Sequence, residues 1–230
     1  MKFKRLVIAC VSMGACIGTG VVYGAESSAN RLQTSNEVLG EIMSAPDKGI
    51  PQELLEKSQC IVIVPGLKKG AFIFGGKYGR GYILCRASSG NGWSAPAGVT
   101  VEGGSFGFQI GGEETDAVML VMSKSGAEKL LSSKFTLGGD ASVAAGPVGR
   151  TSSADTDLQL HAEILTWSRS RGVFAGVSLN GATLRPDEES NNELYRDKHT
   201  NQQIVMGGTM PPEAAAELRA SLTKYSARKE

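Results

Sequence analysis

Apolar side chains recur at helical spacing in a few stretches of this chain and at strand spacing through most of the rest. In residues 29–43, Leu32, Leu39 and Met43 form one helical stripe with Val38 and Ile42 beside it, which predicts an amphipathic helix ending before Pro46. Its polar face mixes Arg31 with Glu37 and Glu41, whereas interfacial membrane helices are rich in Lys and Arg, so this helix is expected to pack on the domain. A short second helix over 52–58 follows Pro51, and 60–64 reads as a brief apolar strand stopped by Pro65 and Gly66. Asn91-Gly92 signals a hairpin between strands at 82–86 and 93–101. Phe106, Phe108 and Ile110 alternate with period two, and 117–122 is apolar throughout, as in a central strand. A middle helix is expected over 125–133, with Ala127, Leu130 and Leu131 inward.

Beyond it, residues 136–148 read as one long small-residue strand interrupted by glycines. Leu158, Leu160, Ala162 and Ile164 alternate in another strand, and Val173, Ala175, Val177 and Leu179 in a third, which Asn180-Gly181 turns back. Residues 186–208 are polar and only weakly periodic. A last helix, within 211–226, starts at Pro211-Pro212 and places Ala215, Leu218, Leu222 and Tyr225 at helical spacing. These elements describe an α+β domain: a glycine-rich, mainly antiparallel sheet, curved or partly closed, covered by N-terminal, middle and C-terminal helices.

The stretch PGLKKGAFIFGGKYGRG at 65–81 combines turn glycines with Lys68, Lys69, Lys77 and Arg80 around a short alternating strand. Gly75, Gly76, Gly79 and Gly81 each permit a positive φ or a close backbone approach, so the segment reads as strand, turn, strand. Its cations suit an anionic headgroup, and they suit equally a solvated edge that resists strand pairing. Spacing alone favours the edge. Arg150, Arg169 and Arg171 form a second basic group, which joins the first only if the fold brings the two together.

The first residues join Lys2, Lys4 and Arg5 to an apolar run from Leu6 to Val22 and to small residues at Gly24 and Ala25, the layout of a secretory signal. Residues 1–24 are therefore set apart as a signal peptide and 25–230 as a single domain, exported to the periplasm or cell envelope. Met13-Gly14-Ala15-Cys16 also resembles a lipoprotein box, which would make Cys16 an outer-membrane anchor, although the run continues apolar through Val22. Without residues 1–24 the chain keeps 21 of its 24 basic residues and all 23 acidic ones, a net charge of −2. That balance excludes nucleic acid as a partner, and attraction to anionic lipid must come from a local patch. Cys60 and Cys85 then remain, and they either pair in an oxidising compartment or stay separately buried thiols.

Catalytic signatures fail in their context. Gly103-Gly104-Ser105-Phe106-Gly107 fits the G-x-S-x-G pattern of a serine hydrolase, but that elbow needs a helix after it, and here a strand follows Ser105. His161 projects from a strand toward a polar side, and His199 has no second His or Cys at ligand spacing, so no metal is expected. The glycines before Lys77 fail as a phosphate loop, because Tyr78 stands where Ser or Thr would bind magnesium. No cofactor and no enzymatic activity are expected.

Four blocks in order, at 65–81, 93–111 (WSAPAGVTVEGGSFGFQIG), 135–150 (FTLGGDASVAAGPVGR) and 168–181 (SRSRGVFAGVSLNG), resemble the SYLF domain over about residues 29–195. Trp167 stands where that pattern usually has Tyr. The resemblance implies membrane-lipid binding by a non-catalytic domain, with Lys68, Lys69, Lys77, Arg80, Arg150, Arg169 and Arg171 as candidate headgroup contacts. In eukaryotic members, the actin role belongs partly to appended Src-homology domains, so actin is not expected as a partner. The readings to weigh against lipid binding are an envelope interaction module that binds another protein and, more weakly, a Ser105-dependent esterase.

Overall fold

The computed structural model describes residues 26–45, 49–72, 74–87, 92–105, 111–132, 134–147, 162–170, 173–176 and 179–227. The expected signal segment, Arg150, Arg171, His161 and the alternating run 106–110 lie outside these residues.

Helix α1 (Ser28–Ser44) starts at Ser27, whose hydroxyl accepts from the Asn30 N–H, and buries Leu32, Val38, Leu39 and Ile42. Arg31, expected on its polar face, is buried too, because the helix lies flat on the sheet and tucks that guanidinium against Ser190. After the short α2 (Gln52–Lys57), strand β1 (Cys60–Phe72) and strand β2 (Phe74–Cys85) form a long antiparallel hairpin. Strand β1 thus does not stop at Pro65 and Gly66. The pairing register shifts there instead, a bulge in which Gly66 takes φ +57° and gives its N–H to the Asp116 carboxylate at 3.0 Å.

Strand β3 (Ala97–Ser105) pairs with β2, and β4 (Gly111–Val121) pairs with β1 on its other side. Helix α3 (Lys124–Ser132) occupies the expected middle position. The long strand expected over 136–148 is broken in two, β5 (Phe135–Thr136) and β6 (Val143–Ala145), by a turn in which Gly138 adopts φ +82°. Strands β7 (Ile164–Ser170), β8 (Val173–Gly176) and β9 (Thr183–Pro186) complete the sheet.

Among the described residues the sheet has nine strands, ordered β5-β9-β3-β2-β1-β4-β7-β6, with β8 sharing the outer edge of β7. All pairings are antiparallel except β6 with β7, and the sheet curls into a half-barrel. The polar, weakly periodic stretch 186–208 holds two helices, α4 (Glu188–Tyr195) and α5 (Asn201–Met206). A 3₁₀ turn at Glu213–Ala215 leads into the C-terminal α6 (Ala216–Tyr225).

Both faces of the sheet are buried, because period-two alternation along β1, β2 and β4 sends apolar side chains both ways. Ile61, Ile63, Leu84, Val118 and Leu120 meet α1, α2 and α6, where Leu39, Leu55, Leu218 and Leu222 close the layer. Val62, Val64, Leu67, Met119 and Val121 meet the other face, covered by Leu130 of α3, Ile204 of α5 and Leu184 of β9. Cys60 and Cys85, directly opposite on β1 and β2, form a disulfide inside this second layer.

Candidate functional site

Strand β2 sorts the basic residues by distance from the helical layer. At Tyr82 the hydroxyl donates to the Ser28 carbonyl at 2.7 Å, so α1 begins over this point, and burial raises the phenol's pKa. Two residues along on the same face, Arg80 makes a two-pronged contact with Asp187, at 2.6 and 2.8 Å, and reaches Glu189 at 3.1 Å. Burial works against the Asp187 charge, but hydrogen bonds from Arg80 and Ser190 outweigh it and hold the carboxyl below its ordinary range. Asp187 is also the N-cap of α4, accepting from the Ser190 N–H at 3.1 Å. Arg80, expected as a headgroup contact, ties the sheet to α4 through these pairs.

Arg169 is engaged in the same way. It lies opposite Asp116 across β4 and β7, contacts that carboxylate at 2.6 and 2.7 Å, and pairs with Glu41 of α1. Both arginines fasten helices to the half-barrel, near the two ends of α1.

Lys68, Lys69 and Lys77 lie farther out on the hairpin. None of Gly76, Gly79 and Gly81 adopts positive φ; Gly79 and Gly81 serve close approach instead, since a Cβ on Gly81 would stand 2.0 Å from the Ile63 carbonyl oxygen. Lys69 and Lys77 are directly opposite on neighbouring strands, on the face that Leu67 continues. Burial first, and then the Lys69 charge, push the half-buried Lys77 ammonium below its ordinary pKa. Lys68 is directly opposite Tyr78, which is 51% exposed, and Glu114 is its partner on β4. The Glu114 carboxylate folds over Gly66, within 2.6 Å of where a Cβ would be. Among the described residues, Lys68 and Lys77 make no ion pair.

Ser105 is the last residue of β3, and the strand expected to follow it lies outside the described residues. Among the described residues, no three His, Cys, Asp or Glu side chains group as metal ligands, and no helix is long and apolar enough to cross a membrane.

Sequence reasoning passed over a cleft on the far side of β9. It encloses about 570 Å³ between that strand, α4 and the α4–α5 connection, and Lys134, Arg185, Lys198 and His199 line it. These residues are scattered over 66 positions of chain, and no local motif joins them.

The sequence profile of the family described as "Ysc84: Las17-binding protein actin regulator" matches residues 102–225, more than half of the chain. LAS seventeen-binding protein 3 of Saccharomyces cerevisiae is 35% identical over 188 residues, which cover 80% of this chain and 39% of that protein. SH3 domain-containing YSC84-like protein 1 of Homo sapiens is 32% identical over 207 residues, covering 90% of this chain and 59% of that protein. The chain thus spans less than two thirds of the length of these relatives. On the profile match and these identities, the chain belongs to the Ysc84 (SYLF) family.

Proposed function

We propose that this chain is a non-catalytic, exported envelope module that binds anionic phospholipid headgroups through the outer end of the β1–β2 hairpin. The observation that carries this reading is Lys77: a half-buried ammonium, directly opposite Lys69, with its pKa already lowered by burial and by that neighbour. Lys69 has Glu113 opposite it on β4, whereas Lys77 makes no ion pair among the described residues, so an anion beside Lys77 gains most. Tyr78, exposed beside Lys68, adds an aromatic ring of the kind that sits at a membrane interface. The basic apolar leader, with Cys16 as a further lipidation candidate, supports export.

A second reading has its own support. Relatives carry names that record Las17 binding, and Glu102 and Glu114 flank Tyr78 and Lys68 in one cross-strand row, a mixed-charge strip suited to another protein. Co-sedimentation with phosphatidylcholine vesicles, with and without anionic lipid, at low and high salt, separates the two. Each basic residue at a charged surface contributes about 1 kcal/mol, so Lys68→Ala with Lys69→Ala weakens binding roughly tenfold or more. Equal partitioning onto neutral and anionic vesicles, indifferent to salt and to the double change, defeats the lipid reading and leaves the protein partner.

A further inference from the structure

The cleft beyond β9 is a second, separate concentration of positive charge. Lys134, Arg185 and Lys198 line it against one carboxylate, Glu188, in a chain whose formal net charge is only +1. Arg185 is engaged by Glu102 at the rim. Among the described residues, Lys134 and Lys198 make no ion pair, and both are exposed toward the opening. Positive charge gathered in a concave site with low-dielectric walls focuses the field on whatever enters.

The remaining wall is uncharged and mixed, with Leu131 and Pro186 beside neutral polar residues. Thr100 and Asn192 line the same cavity, and among the described residues neither side chain makes a hydrogen bond, unlike Asn191 and Asn201, which pair with each other at 2.7 Å. The volume, about 570 Å³, lies in the ordinary range of small-molecule sites, roughly 300–1,000 Å³, and exceeds what a phosphate group fills by itself. Cations at one side and hydroxyl and amide groups at the other match a phosphate ester on a polyhydroxy body.

We infer that this cleft binds a phosphomonoester of a small polyol, with Lys134 and Lys198 on the phosphate and Thr100 and Asn192 on the hydroxyls. The free phosphate ester and a lipid headgroup of the same chemistry share this description. The site uses none of the hairpin lysines, so it stands or falls apart from the membrane reading above.

Calorimetric titration of the full-length protein with glycerol 3-phosphate at low ionic strength tests it, with glycerol as the control. Binding of the phosphate ester alone is expected, weakened at least tenfold by Lys134→Glu with Lys198→Glu and unchanged by Lys68→Ala with Lys69→Ala. Lys134→Arg with Lys198→Arg, which keeps the charges, retains affinity, and thermal unfolding of each variant reports that the fold is intact. Vesicles carrying phosphatidic acid distinguish the sources: recruitment lost in the Glu variant identifies the headgroup, and recruitment unaffected while glycerol 3-phosphate binding is lost identifies the free ester. No binding of glycerol 3-phosphate by the wild type, or equal binding by the wild type and the Glu variant, overturns the inference.

Discussion

Arg80 separates a structural role from a ligand role more sharply than any other basic residue here. Replacing it by Gln leaves Asp187, only 6% exposed, with the Ser190 donors alone and removes the cation from Glu189. Breaking a buried ion pair costs about 3–5 kcal/mol. The surviving Ser190 hydrogen bonds, with 17% exposure of the Arg80 side chain, place this case at the lower end, about 3 kcal/mol. For a domain of this size that is a fall of roughly 6–12 °C in Tm.

The loss carries a pH signature. Asp187 has its folded pKa below the ordinary 3.8, so its ionisation stabilises the fold above that value, and the stabilisation disappears as pH falls through the folded pKa. The gap between wild type and Arg80→Gln is therefore full at neutral pH and narrows below pH 3.8. Adding Asp187→Asn removes the orphaned charge and recovers part of the loss. Urea unfolding across pH measures all of this, and vesicle binding is measured alongside. A variant of unchanged stability that has lost its affinity for anionic vesicles would refute the structural assignment and return Arg80 to the headgroup contacts.

Gly81→Ala drives a Cβ against the Ile63 carbonyl and the Val64 backbone at the bulge and should cost up to about 3 kcal/mol in urea unfolding, whereas Gly76→Ala, with nothing within 4 Å, should be neutral or slightly stabilising. Because Lys77 sheds its proton below the ordinary lysine value of 10.5, affinity for anionic vesicles should decline on the alkaline side earlier in wild type than in Lys77→Arg; coincident pH profiles would remove Lys77 from the site.

Where the pattern of apolar residues was regular, the fold was legible. The stripe of Leu32, Leu39 and Met43, with Val38 and Ile42 beside it, marks α1, and Leu218 and Leu222 mark α6, because each helix buries one apolar face on the sheet. Helices α4 and α5 escaped notice because part of what they bury is polar. Asn191 and Asn201 turn inward to the N–H and carbonyl of Gly98, backbone groups on β3 just past the end of β9, and no hydropathy pattern records that contact. Gly98 has no room for a side chain, since a Cβ would come within 2.9 Å of Asp187 and Ser190. Pro65 and Gly66 misled for a different reason: they interrupt a ladder, and only the pairing on both sides of β1 shows that a bulge absorbs the interruption. The partners of Arg80 and Arg169 lie 107 and 53 residues away, so their charges could be counted in the sequence but not assigned.

The division between structural and available cations follows from which face of β2 each one occupies and how far out along the strand it lies. Arg80 and Lys77 are three residues apart on one strand, about 10 Å, and their side chains point to opposite faces. Under α1 and α4 an unpaired guanidinium would be a buried charge, so the fold supplies Asp187 and Glu189. Farther out on that face exposure rises through Tyr78 and Gly76, and on the opposite face Lys77 is half-buried and, among the described residues, makes no ion pair. In its cross-strand row Lys77 faces Lys69, which has Glu113 opposite it on β4, and the Cys60–Cys85 disulfide and the buried apolar ladder hold the base of the hairpin. On the proposed reading, a hairpin held rigid at its base presents Lys77 already ordered, so an anion need not create order on arrival.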